Sequence, residues 1–408
     1  MLLPVLSCGS IFVSAQTSPW TIYDTVNSPL PENSVRCITV DAQNRKWIGT
    51  DHGLAVFDDV SWTIYDTSNS GLSDNYVRSL SFDEQGRAWI GTFVSGIDIF
   101  DGTTWTNYST ANSGIGADYV RAIAFDTSGK AWIGTINGLS VFDGNTWYTY
   151  TMANSPLLSN NIACITIDAN DEKFFGTING GLYDLLDTTF SVYTIATTGI
   201  PDNSAMAVAL DSAGNRWYGS AAAGLEVHYE AGNLWSWFNT TNSAIASNAI
   251  TALVIDDQQT KYMGSMQSGL LTFRFPANWS YYDTLNSPMP DGYVQAVAKD
   301  SSGYIWVGTR EGGLVRLDES ALNNVAEITE NNLLNIYPNP VRAGEPVFLN
   351  GVQQQDIIRI IDMKGSVAEI FSGGENILRT SGLHAGIYFV EIISAYGRPP
   401  LRAKLILQ

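Results

Sequence analysis

The chain repeats one phrase seven times, and its core aromatic returns every 42 to 45 residues. The phrase is clearest around Trp47. There Val35-Arg36-Cys37-Ile38-Thr39-Val40-Asp41 leads through a short turn into Trp47-Ile48-Gly49-Thr50 and Gly53-Leu54. The core comes back at Trp89, Trp132, Phe174, Trp217, Tyr262 and Trp306, each with a Gly two residues later. Every unit holds four strand-like runs. The third has the form of Gly138-Leu139-Ser140-Val141-Phe142-Asp143, and the fourth is Trp-x-x-Tyr, at Trp20, Trp62, Trp105 and Trp147, with looser versions at Phe190, Trp235 and Trp279. β-Branched and aromatic runs between Gly, Asp and Asn clusters are strand and turn chemistry. A repeat of this length with four strands is one propeller blade, so the expected fold is an all-β, seven-bladed β-propeller.

The offset of the strands predicts how the ring closes. One Trp-x-x-Tyr run, at Trp20, precedes the first core, and none follows the last. The strand near Trp20 is therefore expected to complete the blade holding Trp306, which leaves only short, protected edges. Ten residues before each core aromatic stands a small residue, Cys37, Ser79, Ala122, Cys164, Ala207, Ala252 or Ala296, which lets neighbouring blades approach. Six residues before it stands Asp41, Asp83, Asp126, Asp168, Asp211, Asp256 or Asp300. Asp there is expected to hold the backbone of the following turn. One carboxylate per separated blade does not make a metal site.

The pattern Asp-x-x-Gly-x-x-Trp-Ile-Gly-Thr-x-x-Gly-Leu, from Asp126 to Leu139, resembles the two-component-regulator propeller repeat. The resemblance covers roughly Trp20 to Asp318. It implies either the periplasmic sensor part of a hybrid histidine kinase or a stand-alone secreted protein. No kinase segment or transmembrane helix follows the repeats here. A second resemblance begins at Tyr337-Pro338-Asn339-Pro340, continues through Asp362-Met363-Lys364-Gly365 and Gly386-Ile387-Tyr388-Phe389-Val390, and ends at Lys404-Leu405-Ile406-Leu407-Gln408. This ordered set resembles the C-terminal sorting domain of type IX secretion cargo. It implies a small C-terminal β-sandwich, contact with the type IX secretion machinery, passage through the periplasm, and an extracellular or outer-surface destination with the tail removed.

Four segments are expected: a signal peptide over 1–15, a propeller over 17–320, a linker over 321–332 and a sorting domain over 333–408. Leu2 to Ala15 is apolar and ends in Val13-Ser14-Ala15, as a secretory signal does, but it lacks a basic start, so the expected signal is a shortened one. It is also too short to span a membrane, which takes about 20 residues. Cys37 and Cys164 occupy the same repeat position three blades apart, which rules out a disulfide between them. Up to residue 320 there are 14 basic and 32 acidic residues, against 7 and 6 from residue 333 onward. So acidic a propeller argues against nucleic acid and anionic membranes as partners.

No catalytic set is legible, and no metal or cofactor is expected. His52, His228 and His384 are the three histidines, and none has ligand spacing to another His or Cys. Streptogramin lyases, distant propeller relatives, rely on a histidine-and-metal site that has no visible counterpart here. One asymmetry remains. Eleven residues before the core aromatic stand Arg36, Arg78, Arg121, Ala163, Met206, Thr251 and Gln295; thirteen before stand Ser34, Tyr76, Tyr119, Asn161, Ser204, Ala249 and Tyr293. Residues two apart on a strand share a face. Arg36, Arg78, Arg121, Tyr76, Tyr119, Tyr293 and Gln295 therefore gather on four adjacent blades, with His52, Phe93, Asn137 and Arg310 expected on the same mouth. Arg with aromatics holds a carboxylate, sulfate or sugar; the blander reading, which outweighs it, is that these Arg pair with Asp74, Asp118 or Asp291 and brace the rim. The reading is a ligand-binding module for an unidentified small molecule, glycan or protein. A glycan-active lyase or glycosidase, or an adhesive surface protein, stands as the alternative.

Overall fold

The computed structural model describes residues 18–230, 233–274, 278–322, 336–337, 339–349, 352, 356–362, 367–372, 377–393 and 401–408. The expected signal, residues 323–332 of the expected linker, and Pro338 lie outside the described residues.

From Trp20 to Leu317 the described strands form seven antiparallel four-stranded sheets. One sheet runs Val35–Val40, Lys46–Thr50, Gly53–Phe57, Trp62–Tyr65, in chain order, and five others repeat that order. The seventh takes Val294–Lys299, Ile305–Thr309 and Leu314–Leu317 from the end of the array and Trp20–Tyr23 from its start. Trp20 pairs with Leu317 and Tyr23 with Leu314, so the two ends of the array share one sheet. The first strands of successive sheets touch, and Val294–Lys299 touches Val35–Val40, bringing the series back to its beginning.

The repeat phrase explains this packing. In each unit the small residue pairs across the ladder with the core glycine, as Cys37 does with Gly49. The flat spot receives the next first strand: a Cβ on Gly49 would lie 2.6 Å from Cγ1 of Val77, and one on Gly308 2.5 Å from Cγ1 of Val35. Gly308→Ala would overpack the contact that joins the last sheet to the first, at a cost of about 1–3 kcal/mol. The urea midpoint should fall; an unchanged midpoint would mean that this junction carries little of the fold's stability.

Aspartate does two jobs in the five units whose core residue is Trp. Asp41 accepts from the backbone N–H of Gln43 at 3.0 Å and of Arg45 at 2.8 Å, closing the turn, and from Nε1 of Trp47 at 2.9 Å. The indole bond recurs at Asp83–Trp89, Asp126–Trp132, Asp211–Trp217 and Asp300–Trp306. A cation just before the core residue then stacks on the core ring of the preceding unit: Lys46 on Trp306, Lys173 on Trp132, Arg216 on Phe174 and Lys261 on Trp217. Cys37 and Cys164 are free, and burial pushes both thiols up to about 12, so they stay protonated.

Past residue 335 the described strands form two antiparallel sheets. One holds Ile336–Tyr337, Pro346–Leu349 and Ile377–Arg379; the other holds Val367–Ser372, Ile357–Asp362, Gly386–Ile393 and Leu401–Leu407. A single apolar cluster, including Val347, Leu378, Ile360, Val390 and Leu405, draws on both. Asn339 ties the start of this segment to its end: its Oδ1 accepts from the N–H of Ile406 at 2.8 Å, and its Nδ2 donates to the carbonyl of Lys404 at 2.6 Å. Gly386 pairs with Leu407, and the Tyr388 hydroxyl donates to the carbonyl of His384. The expected linker begins as helix, since Glu319–Leu322 forms one turn.

Candidate binding site

Every one of the seven first strands carries a β-bulge, and the extra residue is always the one eleven before the core. Val35 pairs with Thr50 and Cys37 with Gly49, leaving Arg36 unmatched; Arg78, Arg121 and Gln295 are unmatched in the same way. A bulge interrupts the ladder and re-aims a side chain. Strict alternation, which groups residues 34 and 36 on one face, does not contain this feature, and nothing in the composition signals it.

The bulges bring residues of different sheets together. Arg36 grips Asp51 with both arms, from Nε and Nη2, each at 2.6 Å; Nη1 donates to Oε1 of Gln295 at 2.7 Å and Nη2 to the Tyr76 hydroxyl at 2.7 Å. Burial alone would raise the Asp51 pKa, but the Arg36 hydrogen bonds and charge hold its carboxyl below the usual range. Arg36 is thus a brace, through Asp51 rather than through any of the three expected carboxylates. Asp74, Asp118 and Asp291 instead accept from loop groups: Asp74 from the N–H of Tyr76 and Val94, Asp118 from Thr110, and Asp291 from the N–H of Tyr293 and Glu311.

Arg78 and Arg121 differ from Arg36. Arg78 lies over Tyr76, 5.9 Å from the ring centroid, and over Tyr119 at 5.5 Å; Arg121 lies over Tyr119 at 4.8 Å. Among the described residues no carboxylate pairs with either, and the buried Nε of Arg121 has no acceptor. Burial lowers the Arg121 pKa, Tyr119 opposes that shift, and the Arg78 charge adds to it. Phe93 spans the two tyrosines, its ring 5.0 Å from Tyr76 and 4.6 Å from Tyr119.

One loop position separates the brace from the free cations. Four residues after the core aromatic stand Asp51, Phe93, Ile136, Ile178, Ala221, Met266 and Arg310. The unit of Arg36 supplies an acid there, and the units of Arg78 and Arg121 supply apolar groups. The sequence carries this signal, and it shows only when the loop is aligned against the bulge. Tyr293 takes no part in this cluster; it lies beneath Arg310, at 5.4 Å. His52 is exposed, with Nδ1 3.1 Å from Oε2 of Glu32. His52, Glu32, Arg36 and Arg310 line an open depression beside the cluster. Among the described residues no group of three His, Cys, Asp or Glu could hold a metal.

The chain carries two-component-regulator propeller repeats, matched at residues 71–93 and 288–311, and a secretion-system C-terminal sorting domain, matched at residues 335–408. No curated protein matches it. Among solved structures it is similar to the extracellular domain of BT3049 from B. thetaiotaomicron, with a TM-score of 0.67 at 18% identity over 95% of this chain. It is also similar to PorZ of Porphyromonas gingivalis, a surface component of the type IX secretion system, with a TM-score of 0.57 at 17% identity over 92% of this chain. The chain spans 57% of the first structure and 59% of the second. Virginiamycin B lyase from Staphylococcus aureus matches 73% of this chain at 13% identity, with a TM-score of 0.59 and 98% of the lyase covered. At these identities the likeness concerns the fold.

Proposed function

We propose that this chain is a secreted or surface-displayed binding module. Residues 17–320 are a seven-bladed β-propeller, and residues 333–408 are a β-sandwich that directs type IX export. The ligand is anionic or sugar-like, and it binds where Arg78 and Arg121 meet Tyr76, Phe93 and Tyr119. One observation carries the site: Arg36 has its carboxylate, whereas Arg78 and Arg121 lie beside each other with none among the described residues. In a propeller holding 14 basic and 32 acidic residues, such a pair is a local attraction for an anion. The sorting domain and the surface location of PorZ support the export reading.

Three measurements test it. Residues 17–320 alone should fold cooperatively, and removing residues 333–408 in a host with type IX secretion should leave the protein in the periplasm. A fragment that cannot fold without the tail would break the two-domain division. A screen of glycans and small anions should give a hit that weakens in Arg78→Ala. Losing a charged hydrogen-bond partner costs about 1.5–3 kcal/mol, hence at least about tenfold in affinity. Unchanged affinity, or a variant that mainly loses stability, would return Arg78 to a structural role.

A further inference from the structure

We infer that the Arg78–Arg121 mouth takes a carboxylate carried next to an apolar group. The carboxylate sits between the two guanidiniums, and the apolar group rests on the rim formed by Phe93, Val94 and Ile136. This rests on the binding-module reading above and narrows it to one ligand chemistry.

Two features of the mouth support it. The first is the pair of cations. A guanidinium is a planar fork that matches a planar carboxylate, and the unpartnered Nε of Arg121 still needs an acceptor. Tyr119 lies under both arginines and fixes their approach. The second is the rim. Phe93 is 41% exposed, Val94 61% and Ile136 43%, although all three belong to well-paired loops. Their backbones are held: the N–H of Phe93 donates to the carbonyl of Tyr76, and that of Ile136 to the carbonyl of Tyr119. Three apolar side chains are thus fixed in water on the same loops whose first strands carry the free arginines. The polar group beside them, Asn137, donates its amide to the carbonyl of Gly116. A sugar acid would find its anion satisfied there and its hydroxyls facing apolar carbon. A carboxylate with an apolar neighbour finds both halves matched.

The full chain is titrated by NMR with N-acetyl-phenylalanine, its amide, 3-phenylpropionate, galacturonate and inorganic sulfate. N-acetyl-phenylalanine or 3-phenylpropionate should bind, and the amide and galacturonate should bind at least tenfold more weakly. Equal binding of the two acids would point to small aryl acids, and preference for the first to a peptide chain end; both support the proposal. Arg78→Gln and Arg121→Gln should each weaken binding at least tenfold. Phe93→Ala should weaken it about fivefold in a protein that stays folded, with a melting temperature lowered by only a few degrees because the ring also packs on Tyr76 and Tyr119. If galacturonate or sulfate binds as tightly, depends on the arginines and ignores Phe93, the apolar half of the inference fails while the anion-binding reading stands. If none of the acids binds in an arginine-dependent way, both fail.

Discussion

Deleting residues 18–24 should leave a protein that melts on the order of 10 °C lower or does not fold at 37 °C. The strand Trp20–Tyr23 is the fourth strand of the sheet that begins at Val294, so its loss uncovers Leu314–Leu317. Trp20 is buried among Val297, Ile305, Val315 and Leu317, with its ring 5.4 Å from Tyr282. Tyr23 stacks on Trp306 at 6.0 Å. Emptying one large aromatic site costs about 3–5 kcal/mol, against a total stability of about 5–15 kcal/mol. At a few degrees per kcal/mol, that is a change easily read by calorimetry. A deletion variant that melts like the intact chain would show that the ring holds without its joined ends.

The second large effect concerns Glu226. On the third strand of three sheets a polar side chain serves the preceding loop: Asp98 accepts from the N–H of Ser73, Ser140 from that of Gly116, and Tyr183 from that of Leu158. Where the loop residue is Pro31 or Pro290, which has no N–H, the matching strand residue is Ala55 or Val315. Glu226 breaks the pairing, because the residue at the matching loop position is Pro201, which has no N–H to donate. It is 2% exposed and its Oε2 has no partner. Burial first, and then the charge of Asp202, push its carboxyl up to about 8. An unfolded Glu titrates near 4.3. Between these values the folded chain holds the extra proton, so this contribution is full below about pH 4 and fades as pH rises through about 8. A tenfold difference in proton affinity between the folded and unfolded chain is worth about 1.4 kcal/mol, so the effect amounts to several kcal/mol. Glu226→Leu should stabilise the protein at pH 8 and leave it little changed at pH 4. Some slope will remain, because burial also raises Asp184 to about 6. If wild type and variant show parallel stability–pH curves, Glu226 is ionised at no cost and the reading fails.

Much of this was legible because the repeat supplies its own comparison. A residue type that recurs at one position, such as the turn-closing Asp, has a local job that chemistry names. The indole bond that Asp also accepts was hidden, since Trp and Asp are six residues apart and meet only through the hairpin's register. The candidate site was legible in its members and not in its wiring. Arg36, Arg78 and Arg121 look equivalent in the sequence, yet the structure braces the first and gives the other two no carboxylate among the described residues. That difference arises from Asp51, which reaches Arg36 across a loop; the bulge, which has no residue signature, is common to all three. Strand position alone groups Tyr293 with the cluster, but its ring instead supports Arg310. A strand position predicts which mouth a side chain serves, but not which neighbour it finds.

The most direct test is a crystal structure of the protein with the tightest-binding compound from an anion and glycan screen. The account predicts an acidic group within hydrogen-bond distance of both the Arg78 and Arg121 guanidiniums, with Phe93 against its flank and the Arg36–Asp51 pair intact. A ligand seated instead in the depression lined by Glu32, His52 and Arg310, or on the outer strands of the sheets, would contradict it.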